Sequence, residues 1–276
     1  MHDYKVILVK LDQGRRNDER LEIARRLGAV FGARTVGLFA VSAQPRSTYA
    51  DVRDLVDAAA ARWFNEGAAA AEKAFKDKMR GAGDVEFRMT FEDALDATRL
   101  QGRYADLIVV GQQDKKDDDS GLQSSFADEL VLSAGKAVLF VPYAGHFETL
   151  GERALIAWDG SREAARAVSD ALPLLLRAKK VDVATFDPRV GTAVPGGGPG
   201  AAIAAFLKSH GVNAGVSVQH GAADNIGDRL LSLAADLSSD LLVMGAYGHS
   251  RTRELILGGV TRRMLDSMTL PVLMAH

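Results

Sequence analysis

The chain has 276 residues, of which 47% are apolar and 25% charged, enough apolar material for one large core or two ordinary ones. Its formal net charge is −2 and its pI about 6.3, which excludes a nucleic-acid-binding surface spread over the whole protein. It has no cysteine, which removes disulfides, thiolate metal sites and thiol redox chemistry. No apolar run approaches the roughly 20 residues needed to span a bilayer. The start, Met1 to Lys5, leads straight into a strand pattern with no signal-peptide signature. The expectation is a soluble cytoplasmic protein with neither a membrane nor a nucleic-acid partner.

The first predicted strand covers residues 5–11 and ends at Asp12. A loop with Gly14 leads to an amphipathic helix over about 18–31, whose apolar positions Leu21, Ala24, Leu27 and Val30 mostly follow helical spacing. Residues 35–41 read as a second strand. An alanine-rich stretch over about 51–80 reads as a long helix, stopped by Gly81 and Gly83. A strand over 85–90, a helix over 92–102, a strand over 106–111, a helix around 126–133 and a strand over 137–141 complete this half. Pro142 closes that strand, because proline cannot continue a ladder.

Residues 143–152, with Gly145 and Gly151, read as a linker, so the expected domains are 1–142 and 153–276. The pattern then restarts. A strand over 153–158 ends at Asp159, and Ser161 is suited to cap a helix running to about 176. A strand over 180–186, a glycine- and proline-rich loop over 191–200, a helix over 201–210, a strand over 212–219 and a helix over 224–237 follow. The last strand covers 271–274.

The two halves are an internal repeat. Asp12 matches Asp159. The run Ala105-Asp-Leu-Ile-Val-Val-Gly111 matches Ser239-Asp-Leu-Leu-Val-Met-Gly245, and the matched runs of the last strands, from Val138 and from Val272, each begin 27 residues after that glycine. Alternating strands and helices imply an α/β fold, with right-handed crossovers placing helices on both faces of a parallel sheet. Ligands of such sheets bind beyond the carboxyl ends of the strands, where the winding reverses.

The stretch from Asp240 to Leu265 carries the strongest functional signal. An apolar strand ends at Gly245, a loop contains Gly248 and Gly258, and Gly259 and Val260 open a helix marked by Met264 and Met268. Strand, glycine loop and helix start form an arrangement that receives phosphate, because backbone N–H groups at the helix start point at the anion. His249, Arg251 and Arg253 add positive or protonatable groups. The same glycines could instead serve only turns and helix packing.

The spacing is Gly, two residues, Gly, nine residues, Gly, then a small residue. It resembles the ATP-binding signature of the universal stress protein family. That family has Ser or Thr where this chain has Gly259, and Thr261 is the nearest hydroxyl. The resemblance implies two tandem open five-stranded parallel sheets of strand order 3-2-1-4-5, related by a pseudo-two-fold. It implies a crevice between strands one and four, where Asp159 and Gly245 lie. By the same resemblance, Asp159 with Ala157 beside it should lie near the adenine; otherwise Asp159 is only a helix-start residue. Gly245, Gly248, Gly258 and Gly259 should cradle phosphate, joined by Val260, Thr261, His249 and Arg251; Thr261 could instead simply cap the helix, and Arg251 be only solvated. Trp158 reads as core and His220 as a residue facing the crevice. Family members pair through their last strands, which here implies pairing of 138–141 with 272–274 within the chain.

The first half keeps Gly111, but Asp114 stands for Gly248, and Ser124 and Ser125 for Gly258 and Gly259. Lys115-Lys-Asp-Asp-Asp119 between them, with Asp114, would repel a triphosphate or is only a solvated face; either way this half reads as a degenerate copy. The expectation is one ATP per chain, in the second half, with Mg²⁺ as a possible companion of the nucleotide. No nucleophile elbow, Walker loop or His-Glu-x-x-His motif occurs, so no catalytic or metal-ligating residue is assigned. Three functions fit. One is a stress protein whose ATP-bound state alters its meeting with an unknown protein partner; homodimerisation stays open. The others are a slow ATPase or phosphotransferase, and an interaction module with a vestigial site.

Overall fold

A computed structural model describes residues 3–12, 16–40, 50–114, 125–186, 198–220, 225–248 and 259–276. These form two compact units, Tyr4–Ala134 and Gly135–His276, the latter with Met1–Asp3.

In the unit Tyr4–Ala134 the elements are β1 (Val6–Leu11), α1 (Asn17–Phe31), β2 (Arg34–Phe39), α2 (Ala50–Lys78), β3 (Val85–Met89), α3 (Ala94–Gly102), β4 (Leu107–Gly111) and α4 (Phe126–Ser133). The sheet runs β3-β2-β1-β4, and every pair is parallel. Winding goes one way from β1 to β3 and back past β1 to β4. Right-handed crossovers therefore place α1 and α2 on one face, α3 and α4 on the other. The contacts agree: α1 packs beside α2, and α3 beside α4.

The unit Gly135–His276 contains β5 (Ala137–Val141), β6 (Arg153–Ala157), α5 (Arg162–Leu175), β7 (Lys180–Phe186), α6 (Pro199–Ser209), β8 (Ala214–Gln219), α7 (Ile226–Asp236), β9 (Leu241–Gly245), α8 (Gly259–Ser267) and β10 (Val272–Ala275). Its strand order is β5-β10-β9-β6-β7-β8. Read from β8 to β10, this is the expected 3-2-1-4-5 order. The first repeat's fifth strand, β5, falls within the second compact unit. β5 pairs antiparallel with β10, with Phe140 opposite Val272, Leu139 opposite Leu273 and Val138 opposite Met274. These are the two strands whose pairing the family resemblance implies. Both are continuous apolar runs, buried along their length, as strands covered on both faces are. The division between the compact units falls before β5.

One residue explains much of the matched sequence. Asp106, just before β4, accepts hydrogen bonds from the backbone N–H groups of Lys5 and Val6 at 2.7 and 2.9 Å. Asp240, just before β9, accepts from Glu152 and Arg153 at 3.1 and 2.9 Å. In each repeat the carboxylate ties the start of strand four to the start of strand one, where the ladder would leave N–H groups bare. Among the described residues no helix is long and apolar enough to cross a membrane.

Asp240→Ala is expected to destabilise the second unit by about 1–3 kcal/mol, since two N–H groups lose a charged acceptor. The check is a urea titration in which the midpoint falls while the slope stays constant.

Candidate functional site

β6 and β9 are neighbours, with Ala157 opposite Met244, and the winding reverses between them. Beyond their carboxyl ends lies a cavity of about 360 Å³. β6 and its exit contribute Ala157, Trp158 and Asp159; β9 and its exit contribute Met244, Gly245, Tyr247 and Gly248. Phe186 closes it from the end of β7, Ile226 and Leu230 from α7, and Gly259, Val260 and Thr261 from the first turn of α8. Seven residues singled out in the sequence thus line one space: Ala157, Asp159, Gly245, Gly248, Gly259, Val260 and Thr261. His249, Arg251 and Gly258 lie outside the described residues, as does Arg253.

The glycines have a structural duty of their own. A Cβ on Gly245 would stand 2.4 Å from the backbone nitrogen of Ala164 and 2.7 Å from the carbonyl carbon of Glu163. A Cβ on Gly248 would stand 3.1 Å from Ser161 Oγ and 3.2 Å from Glu163 Oε2. Both glycines let the β9 exit lie directly on the first turn of α5, so helix packing accounts for them. The left-handed turn between them belongs to Tyr247, with φ 59°. Its N–H donates to Thr261 Oγ1 at 3.2 Å, which ties the β9 exit to α8. Thr261 is buried, and its hydroxyl oxygen already serves as an acceptor.

The start of α5 is closed by side chains. Ser161 Oγ accepts from the Ala164 N–H at 3.1 Å, the cap expected from sequence, and Asp159 Oδ1 accepts from the Ser161 N–H at 2.9 Å. Asp159 therefore fills the helix-start role while also standing at the cavity. Glu163 is buried, and Arg162 Nε donates to its Oε1 at 2.6 Å. Burial opposes its charge. The hydrogen bond from Arg162 and one from its own backbone outweigh burial, together with the Arg162 and His276 charges, and hold its carboxyl below the ordinary range. His276 Nδ1 lies 2.9 Å from the Ala246 carbonyl, and the Ala246 N–H donates to the Ala275 carbonyl at 2.9 Å. The chain's last residues therefore brace the same exit.

Two sequence expectations change. Trp158 is half-buried and lines the cavity instead of the core, and its buried Nε1 has no hydrogen-bond partner among the described residues. His220 does not line the cavity; its carbonyl accepts from Arg229 Nη2 at 3.0 Å. Phe186, Tyr247, Ile226 and Leu230 were not foreseen. Only Phe186 left a trace in the sequence, as the residue at the mouth of strand two of the repeat.

The corresponding place in the first repeat is filled from within. Asp12, the counterpart of Asp159, is 3% exposed and takes both terminal nitrogens of Arg20 at 2.7 Å. Arg20 Nη1 also donates to the Lys10 carbonyl at 3.2 Å, and Nη2 to Asn17 Oδ1 at 2.8 Å. A Cβ on Gly111, the counterpart of Gly245, would meet the Arg20 side chain at 3.1 Å. Lys10 is fully buried beside this pair, and its Nζ donates to the Leu11 carbonyl at 2.6 Å. The sequence placed the first repeat's divergence in the loop 115–119, which lies outside the described residues. The structure places a second difference at Asp12 and Arg20.

With this geometry in view, comparison with known proteins is informative. Residues 152–276 match the model of the universal stress protein family. The match lies within the second repeat, which is the part of the chain similar to that family. The whole chain is also similar in fold to a universal stress protein from Archaeoglobus fulgidus DSM 4304, at 15% identity and a TM-score of 0.72, covering 98% of this chain and 97% of the other. A protein of unknown function from Pseudomonas aeruginosa PAO1 is similar at 17% identity and a TM-score of 0.62, covering 99% and 92%. No curated protein matches. Both repeats thus have the universal stress protein fold in tandem, and the second carries the family's sequence pattern.

Gly245→Ala is expected to cost about 2 kcal/mol or more, because its methyl would meet helix backbone and not a movable side chain; thermal unfolding reads the loss. Lys10 supplies a pH test. Burial drives its pKa down from 10.5 to about 8; Asp12 and Asp93 counter this, and Arg20 adds to it. Between those pH values the folded state binds fewer protons than the unfolded one, so stability rises with pH. The drop corresponds to about 3 kcal/mol of stability lost at neutral pH. Lys10→Met is expected to raise the unfolding midpoint at pH 7, and its advantage over the wild type should shrink to nothing as pH passes from 8 to 10.5.

Proposed function

We propose that the chain is a stress-response protein that binds ATP at one site, in its second repeat, and that the bound nucleotide changes how it meets a protein partner in the cytoplasm. One observation carries this reading: the first turn of α8, the exit of β9 and Asp159 line a single cavity. The first N–H groups of a helix have no partner within it and favour an anion. Gly259, Val260 and Thr261 place those groups on the cavity. Ala157, Phe186, Ile226, Leu230 and Met244 make much of the remaining lining apolar, which suits a base.

In this reading the base lies against these apolar side chains and the phosphates lie toward Gly248 and the first turn of α8. Asp159 stands at the mouth as an acceptor for donor groups of the nucleoside. Thr261, whose oxygen is engaged by Tyr247, offers its hydroxyl hydrogen. Gly259 supplies backbone where the family has a hydroxyl residue. The family resemblance and the loop 249–258 support ATP over a nucleoside alone, and Mg²⁺ would travel with the phosphates. The protein acts by binding, not by turnover. The first repeat does not take part, because Arg20 already holds the carboxylate that matches Asp159.

Calorimetric titration of the full chain with ATP tests this. The expected result is one ATP per chain, and at least a tenfold loss of affinity in Val260→Trp, whose ring would fill the cavity from a half-buried position. No binding at millimolar ATP, or two equivalent sites, would overturn the reading. Steady ATP hydrolysis by the wild type that Val260→Trp lacks would replace it with that of a slow ATPase.

A further inference from the structure

The cavity wall at the end of β7 is built differently from the rest. Thr185 faces α6: a Cβ on Gly200 would lie 3.4 Å from its Cγ2. Side chains alternate along a strand, so the next residue, Phe186, turns to the other face, where it lines the cavity. Its ring does not stand alone there. The guanidinium carbon of Arg229, on α7, lies 4.8 Å from the ring centroid. Arg229 is anchored in turn by its hydrogen bond to the His220 carbonyl at the exit of β8. Ile226 and Leu230 flank Arg229 on the same helix and also line the cavity. The space beside the ring is kept by small residues, since Ala157 pairs with Ala184, two positions before Phe186.

We propose that Phe186 is the surface on which the ligand's flat ring lies, that Arg229 is the positioning residue holding it there, and that this pair makes the cavity prefer a purine to a pyrimidine. The proposal rests on the nucleotide reading above and adds to it the means of base selection. A phenylalanine at a strand end can turn about two bonds. A cation over one face, tied to a fixed carbonyl, stops that turning, so the orientation is set before the ligand arrives. Stacking on an aromatic face grows with overlap, which favours the larger purine. The phosphates contribute nothing to this choice, because every nucleoside triphosphate carries the same ones.

The experiment titrates the full-length wild type, Phe186→Leu, Phe186→Tyr, Arg229→Met and Arg229→Lys with ATP and with UTP. The wild type is expected to bind ATP about tenfold more tightly than UTP. Phe186→Leu should remove most of that ratio by weakening ATP about tenfold with little effect on UTP. Phe186→Tyr should retain the ratio. Arg229→Met should lower it about threefold, with Arg229→Lys restoring most of the loss. A helix that merely lost stability would weaken both nucleotides together, so a change in ratio marks positioning. An unchanged ratio in Phe186→Leu overturns the proposal. Should that variant fail to fold, an unchanged ratio in Arg229→Met does so instead. A wild type that binds ATP and UTP equally overturns base selection while leaving nucleotide binding intact. A wild type that binds neither overturns the nucleotide reading itself.

Discussion

The second repeat depends on how closely one strand end approaches one helix start. At 2.4 Å from the Ala164 nitrogen, the position of a Cβ on Gly245 is already occupied by helix backbone. Only a glycine lets β9 end on the first turn of α5, and one step further out Gly248 lies against the Ser161 and Glu163 side chains. Because the exit is pressed to the α5 side, it leaves room on the α7 and α8 side. The cavity is the far side of that packing. Tyr247 in its left-handed turn and the Thr261 hydroxyl then fix where α8 begins, so the first turn of α8 faces the same space.

The two repeats show what duplication held constant and what it released. Asp106 and Asp240 perform one task with the same chemistry, holding the first strand of each sheet against the fourth. The strand ends diverge. Asp159 has a backbone N–H and the edge of a cavity as neighbours. Asp12 has a guanidinium on both oxygens and is buried. A bidentate buried pair is strong in geometry but costs desolvation, and Lys10 beside it adds a charge that burial disfavours. The first crevice is therefore closed by an arrangement that takes something from stability.

Much of this was legible in the sequence, for particular reasons. The runs before Gly111 and Gly245 are apolar at every position because both faces of those strands are buried, and the repeat spacing made them unmistakable. Seven of the residues lining the cavity were found through glycine spacing, an acidic residue after a strand and the family resemblance those carry. The glycines' duty was not legible, since a glycine needed for an anion and one needed for a helix look alike in sequence. Ile226 and Leu230 were missed because an apolar helix face reads as core whether it meets another element or a cavity. Arg20 was missed because an arginine on an amphipathic helix reads as solvated, and its partner Asp12 lies eight residues away. Lys10 did leave a sign: a single lysine in the strand Val6–Leu11, which is otherwise apolar.

A ligand that is part of the chain cannot dissociate. Arg20 is held at its crevice by the fold, at a local concentration that dilution does not change. The second repeat keeps a cavity, and whatever enters it adds stability in step with its own concentration. One polypeptide thus joins a half whose crevice is filled as it folds to a half that keeps a cavity open.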